Sequence, residues 1–234
     1  MKKRLLLPLL LTGFSGSVLA MGIDDDPLLT MFRLDQLEVR DTDAGNVTAW
    51  EADAWLGKDL DKLWIKTEGE YHDGETEEAE LQLLYSRALT PFWDAQIGVR
   101  RDLRPTPTRD WAVFAIKGLA PYLFDIDLSL FVGEEGRSAA RLDAEYEYLI
   151  TQRLILGPEA GISIQGKDDP ESGLGAGISN VTLGLRLRYE IRREFAPYLG
   201  VHWTGLYGDT ADFARAAGGD TSEAVGVAGI RAWF

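Results

Sequence analysis

The chain has 234 residues, no cysteine, two histidines and a formal net charge of −14. That acidic balance excludes a nucleic-acid binder, because phosphate contacts need a surplus of Lys and Arg. The lack of cysteine excludes disulfides, thiolate metal sites and a cysteine nucleophile.

The first element reads as a secretory signal. Lys2, Lys3 and Arg4 precede an apolar run from Leu5 to Leu11, broken only by Pro8, and Ser17-Val18-Leu19-Ala20 ends in small residues. The run is too short to cross a bilayer as a helix. Residues 1–20 are therefore expected to be a removed signal peptide rather than an anchor. Its removal takes away three basic residues and no acidic one, so the charge moves from −14 to −17. Residues 21–30 form a short periplasmic N-terminal segment in this reading. No later stretch approaches the ~18 consecutive apolar residues of a membrane helix, so a membrane-bound form must span with strands.

From residue 31 onward one pattern repeats: about ten residues of alternating polarity, then a turn. Trp50, Ala52, Ala54 and Leu56 alternate with Glu51 and Asp53. Leu63, Ile65, Thr67 and Tyr71 alternate with Trp64, Lys66, Glu68 and Glu70. Ala79, Leu81, Leu83 and Tyr85 stand against Glu78, Glu80 and Gln82, and Trp93, Ala95, Ile97 and Val99 against Asp94, Gln96 and Arg100. The same holds for Ile126–Val132 against Asp125, Asp127 and Ser129. It holds again for Leu142–Tyr148 against Arg141, Asp143, Glu145 and Glu147, and for Val181–Tyr189 against Thr182, Arg186 and Arg188. Period-two alternation means strands with one apolar and one polar face.

About twelve strands follow, at 31–40, 47–57, 62–72, 76–87, 92–102, 111–119, 125–133, 139–148, 153–164, 177–189, 195–205 and 222–234. A soluble sandwich would bury the apolar faces, whereas a membrane barrel turns them to lipid. Three features favour the barrel. The strands match the ~9–11 residues needed to cross a bilayer at a tilt. Tyr71, Tyr85, Trp93, Tyr146, Tyr148, Tyr189, Tyr198 and Trp203 lie near strand ends, as in an aromatic girdle. Tight connections at 58–61, 88–91, 120–124, 149–152 and 190–194 alternate with a set that includes long ones at 103–110, 165–176 and 206–221. Short turns face the periplasm in such barrels, which places both termini there. The terminal Phe234 closes an amphipathic strand with Gly226, Ala228, Ile230 and Ala232 on one face, a common outer-membrane assembly signal. The expected fold is an all-β, closed antiparallel transmembrane barrel spanning 31–234.

No catalytic motif is present, and an enzyme is not expected. Under the lipid-facing assignment Glu51, Asp53, Glu68, Glu70, Glu78, Glu80, Asp94, Asp127, Asp143, Glu145, Glu147 and Glu159 point into the lumen. Lys66, Arg100, Arg141, Arg186, Arg188 and Arg231 join them. Such a density of charge implies cross-strand ion pairs, with surplus carboxylates able to bind or conduct cations. Oxygen ligands alone suit Ca²⁺ or Mg²⁺ better than copper. His72 falls at an external turn. His202 lies on a polar face beside Tyr198 and Thr204, as a luminal hydrogen-bonding side chain or a metal ligand. Met21, Asp24, Asp25, Asp26 and Met31 supply three carboxylates and two thioethers ahead of the barrel, and thioethers select Cu(I).

Several segments resemble the copper resistance protein B family: Asp-Asp-Pro-Leu-Leu-Thr-Met at 25–31, Asp-Gln-Leu-Glu at 35–38 and Lys-Leu-Trp-Ile-Lys-Thr-Glu-Gly-Glu at 62–70. So do Asp-Trp-Ala-Val-Phe-Ala-Ile-Lys-Gly-Leu-Ala-Pro-Tyr at 110–122, Phe-Val-Gly-Glu at 131–134, Thr-Gln-Arg-Leu-Ile-Leu at 151–156, Phe-Ala-Pro-Tyr-Leu-Gly-Val at 195–201 and the ending from Ala228 to Phe234. The likeness runs from about residue 25 to the end. It implies an outer-membrane barrel of a copper-resistance system, with copper ions as its ligand and a periplasmic multicopper oxidase as partner. Copper would be sequestered at the membrane or passed outward. Relatives of that family often carry a Met/His-rich N-terminal region; here only Met21, Met31 and Asp24–Asp26 stand in its place. Two other readings remain at this level: a small acidic cation-preferring porin, or a closed barrel that serves as a platform.

Overall fold

The computed structural model describes residues 26–42 and 45–234. The signal segment and the expected site residues Met21, Asp24 and Asp25 lie outside them. The strands are β1 (Leu29–Thr42), β2 (Gly45–Gly57), β3 (Asp61–His72), β4 (Glu75–Thr90), β5 (Trp93–Arg104), β6 (Arg109–Ala120) and β7 (Phe124–Gly133). They continue as β8 (Ser138–Glu145), β9 (Tyr148–Leu149), β10 (Leu154–Gln165), β11 (Gly177–Tyr189), β12 (Phe195–Leu206) and β13 (Ser222–Trp233). One helix, α1 (Gly208–Ala216), lies between β12 and β13.

Every strand pairs antiparallel with its neighbours, and β13 pairs back onto β1, so the sheet closes. Closure removes free strand edges, which hydrocarbon does not tolerate. The thirteen segments fill twelve wall positions, because β8 and β9 both pair with β10 and are one strand with a break. The break has a covalent cause. Tyr146 N–H reaches Pro158 O at 3.0 Å, but Pro158 has no N–H to return the bond.

The outer wall is apolar. Leu63, Ile65, Leu81, Leu83, Ile97, Val99, Leu128, Leu130, Leu183 and Leu185 are all exposed, while Glu38, Glu80, Gln82, Gln96, Arg186 and Arg188 are buried. A soluble fold has the opposite distribution; this one suits lipid outside and a polar lumen inside. Exposed Tyr85, Phe92, Phe124, Tyr148, Tyr189 and Trp233 gather at the end with tight turns. Tyr198 leaves the expected girdle: it shares the parity of Ala196 and His202, is 5% exposed and faces the lumen.

The connections are less asymmetric than expected. Two at the loop end are long, 166–176 and 207–221. The expected long connection at 103–110 shrinks to four residues because β5 and β6 extend into it, β7–β8 also joins through four, and β1–β2 and β3–β4 join through two residues each. The β3–β4 turn is Asp73-Gly74, with φ of 47° and 93°. Positive φ at both central residues is what a two-residue hairpin turn requires.

Two features of the inner wall depart from simple alternation. In β1, Leu34 pairs with Ala52 and Gln36 with Glu51, leaving Asp35 as a bulge. The bulge switches parity, so Arg33 and Asp35 point inward before it and Gln36 and Arg40 after it. The second departure is an apolar ridge on a wall expected to be polar. Trp55, Trp64, Leu84, Gly98, Val113, Phe131 and Ala139 occupy one register row across β2 to β8. Trp64, Leu84, Val113 and Phe131 form a buried cluster with Trp111 and Ala115. The guanidinium groups of Arg100 and Arg141 cover it, 4.7 and 5.7 Å from the Phe131 ring centre.

Candidate functional site

The lumen holds a cavity of about 930 Å³. Its lining runs from His72 and Asp169 at the loop end to Asp125 and Arg231 near the turn end. Strand parity points every second side chain inward, and twelve wall positions bring the charged ones face to face.

Some ion pairs cross this space and others join neighbouring strands along the wall. Arg141 on β8 donates to Glu68 on β3 at 2.5 Å and to Glu80 on β4 at 3.1 Å. Lys66 on β3 meets Asp127 on β7 at 2.9 Å. Arg231 on β13 reaches Glu145 at 3.2 Å and Glu147 at 3.3 Å, and Arg188 reaches Glu147 at 2.6 Å. Arg33 holds Asp53 at 2.6 Å, Arg100 holds Glu80 at 2.8 Å, and Arg40 pairs with Glu70. Asp94 is 3.9 Å from Lys62 and accepts from Ser86. Buried charges need this compensation, since desolvation is otherwise too costly.

Three of the expected luminal carboxylates have no ion partner within 4 Å among the described residues: Glu51, Glu78 and Asp143. All three line the cavity. Glu51 lies opposite Glu68 in register, and Glu78 lies opposite Glu70.

Sequence reading missed the most buried charged side chain. Glu38 is 1% exposed. Its carboxylate accepts two bonds from Arg186, at 2.8 and 2.9 Å, one from Arg40 at 2.9 Å and one from Tyr198 at 2.9 Å. Arg186 also pairs with Glu159 and donates to Gln36. The trace was present in β1, where outward Leu34 and Leu37 are three apart instead of two.

The copper resistance protein B precursor (CopB) family matches residues 28–234. The chain belongs to that family. Copper resistance protein B of Escherichia coli is 45% identical over 219 residues, covering 94% of this chain and 74% of that one. The copper resistance protein B homolog of Pseudomonas syringae pv. tomato (strain ATCC BAA-871 / DC3000) is 42% identical over 212 residues, covering 91% and 72%. Among solved structures, the NanC porin superposes with a TM-score of 0.55 at 11% identity, over 87% of this chain and 99% of that one. This likeness is one of fold. Family and fold place this copper resistance protein B family member in the outer membrane as a β-barrel.

The expected metal residues that can be placed are separated. Asp26 lies beside Lys58 at the turn end, 2.7 Å away. Met31 is the third residue of β1, opposite Trp55. His202 lies far along the wall: its partner Val225 precedes Gly226, which pairs with Asp41 near the other end of β1. His202 Nε2 is 3.1 Å from Thr204 Oγ1, and its Nδ1 is 3.8 Å from Glu159. No group of three or more His, Asp or Glu side chains is arranged to hold a metal ion among the described residues.

Proposed function

We propose that this barrel supports copper tolerance by taking copper ions from the periplasm into its lumen and passing them through the outer membrane. The observation that carries this reading is a long luminal cavity bearing carboxylates without cationic partners, in a chain of the copper resistance protein B family. Copper is cargo in this reading. The turn end, with both termini, faces the periplasm. The barrel, whose first strand opens at Leu29 rather than at the expected residue 31, follows a removed signal of residues 1–20 and a short periplasmic segment.

The chemistry follows from position. Met21 and Met31 supply thioethers and Asp24, Asp25 and Asp26 supply carboxylates where an ion would enter from the periplasm. A periplasmic multicopper oxidase partner would deliver Cu(II), which oxygen and imidazole ligands accept. Glu51, Asp143 and Glu78 then draw the cation along the lumen by Coulomb attraction, and His202 with Glu159 offers a further resting place. None of these steps is catalytic. Weak, scattered oxygen ligands favour release as well as entry, which conduction needs.

A second reading, a cation-preferring porin without copper selectivity, draws on the scatter of acidic side chains along the lumen, with no three of them arranged as a ligand group among the described residues. Two measurements separate them. Deletion of the gene lowers tolerance to copper but not to sodium, potassium or calcium if copper is the cargo; unchanged copper tolerance overturns the proposal. Flux into proteoliposomes, compared for Cu(II), Ca²⁺ and K⁺, separates selective from general passage.

A further inference from the structure

We infer that the segment 166–176 between β10 and β11 is a latched lid at the loop end of the lumen, and that Asp169 is its latch and sets the size of solute admitted there. Long loops ordinarily run over the surface and keep their polar groups in water. This one turns inward: Asp169 is 9% exposed and lines the cavity with Ser172 and Leu174. Its tip is closed by paired backbone bonds, Asp169 N–H to Leu174 O at 2.7 Å and Leu174 N–H to Asp169 O at 3.0 Å.

Three other parts of the molecule hold it. Arg109 at the start of β6 grips the Asp169 carboxylate with two bonds, Nε to Oδ2 at 3.0 Å and Nη2 to Oδ1 at 3.1 Å, and also donates to Glu171 at 2.9 Å. Since β7 and β8 separate β6 from β10, this grip crosses the rim over three strand positions. Arg137, between β7 and β8, approaches Asp169 at 3.5 Å. From the other side Thr210 Oγ1 of α1 accepts the Gly175 N–H at 2.8 Å. A Cβ at Gly175 would stand 2.4 Å from Thr210 N, so the loop backbone lies directly on the helix.

The barrel wall is complete without this loop, so the anchors do not serve closure. They hold eleven residues at an opening through a two-bonded ion pair on Asp169 and single hydrogen bonds to Glu171 and Gly175. The inference rests on the reading that the lumen passes solutes.

The test uses the full mature protein in planar bilayers, with poly(ethylene glycol) of graded size added to one side at a time. D169N and R109Q are expected to double the conductance or more. They should also admit larger polymers from the loop side while leaving the turn-side cut-off unchanged. T210V, which loosens only the helix anchor, should fall between. Retained heat-modifiable mobility on gels shows that each variant is a folded barrel. A silent parent with conducting variants also supports the lid. Equal conductance and equal loop-side cut-offs overturn the lid alone; silence of parent and variants alike overturns it together with solute passage.

Discussion

Tyr198 Oη donates a 2.9 Å hydrogen bond to Glu38 Oε2 by passing over Gly229, which pairs with both residues on the strand between them. A Cβ at Gly229 would stand 2.6 Å from the tyrosine ring and 2.7 Å from Glu38 Cβ. The contact spans β12, β13 and β1, where the last strand meets the first. Y198F should therefore cost about 1–3 kcal/mol, the usual loss when a buried acceptor loses a donor. G229A should cost at least as much, because the ring must move. The double variant should cost less than the two effects added. Urea unfolding of the barrel in lipid vesicles measures all three; a neutral G229A would show that the ring is not held there.

Arg186 and Glu38 compensate one another inside the wall. Removing only this cation by R186M leaves the buried Glu38 carboxylate with Arg40 as its one remaining ion partner, at a cost of up to about 3–5 kcal/mol. Neutralising the acid as well, in E38Q/R186M, should recover most of that loss. Glu159 also faces Arg186, so recovery remains partial until it too is neutralised. A double-mutant cycle on unfolding free energy gives the coupling. A coupling near zero would mean that Arg40 alone satisfies Glu38.

Much of this fold could be read before the structure, and the reason is specific. Lipid and lumen act on alternate residues, so Leu183, Leu185 and Leu187 against Arg186 and Arg188 already state which way each points. Pro158 broke β8 from β9 without disturbing that parity. Tyr198 was misplaced because it was judged by nearness to a strand end, whereas its parity with His202 turns it inward. The apolar ridge left a trace in Trp111–Ile116, where both faces are apolar and alternation fails. Partners were not legible: Glu38 and Arg186 are 148 residues apart, and only closure of the sheet brings them together. The lid was visible as a long connection, but nothing in its composition indicates that Arg109 draws it inward.

The outer wall makes a prediction of opposite sign to that of the lumen. Leu83 sits midway along β4, between outward Ile65 and Val99 in register. L83R places a charge in hydrocarbon and should lower folding stability by about 2–4 kcal/mol. E51Q, on the inner face and without an ion partner, should leave folding within about 0.5 kcal/mol of the parent. Folding into vesicles, followed by heat-modifiable mobility, compares the two. Equal effects would contradict the lipid-facing assignment.

Unpaired luminal carboxylates should govern ion selectivity. E51Q and D143N each remove an uncompensated negative charge facing the cavity, and the pair together should shift the reversal potential toward lower cation preference. R141Q should shift it the other way, because it frees Glu68 and Glu80 from their shared cation. The measurement is the zero-current potential across a potassium chloride gradient. Shifts of the same sign in all three variants would mean that the ions do not pass these residues.

The lid has an acid limit whose direction follows from its latch. Hydrogen bonds from the Arg109 guanidinium hold the Asp169 carboxyl below the usual carboxylate range, with Arg137 and Ser172 adding to the effect. A carboxyl depressed in the folded state contributes its full stabilisation above its unfolded pKa of about 3.9, and loses it only as pH falls through the lower folded value. The loop-side cut-off of the parent should therefore stay constant from neutral pH down to that range, then rise toward the D169N value. Luminal carboxylates also titrate on acidification, so the informative quantity is the difference between parent and D169N at each pH. That difference should persist through pH 5 and vanish only under stronger acid. A difference that already disappears near neutral pH would mean that Asp169 is not held by Arg109 when the channel is in its membrane.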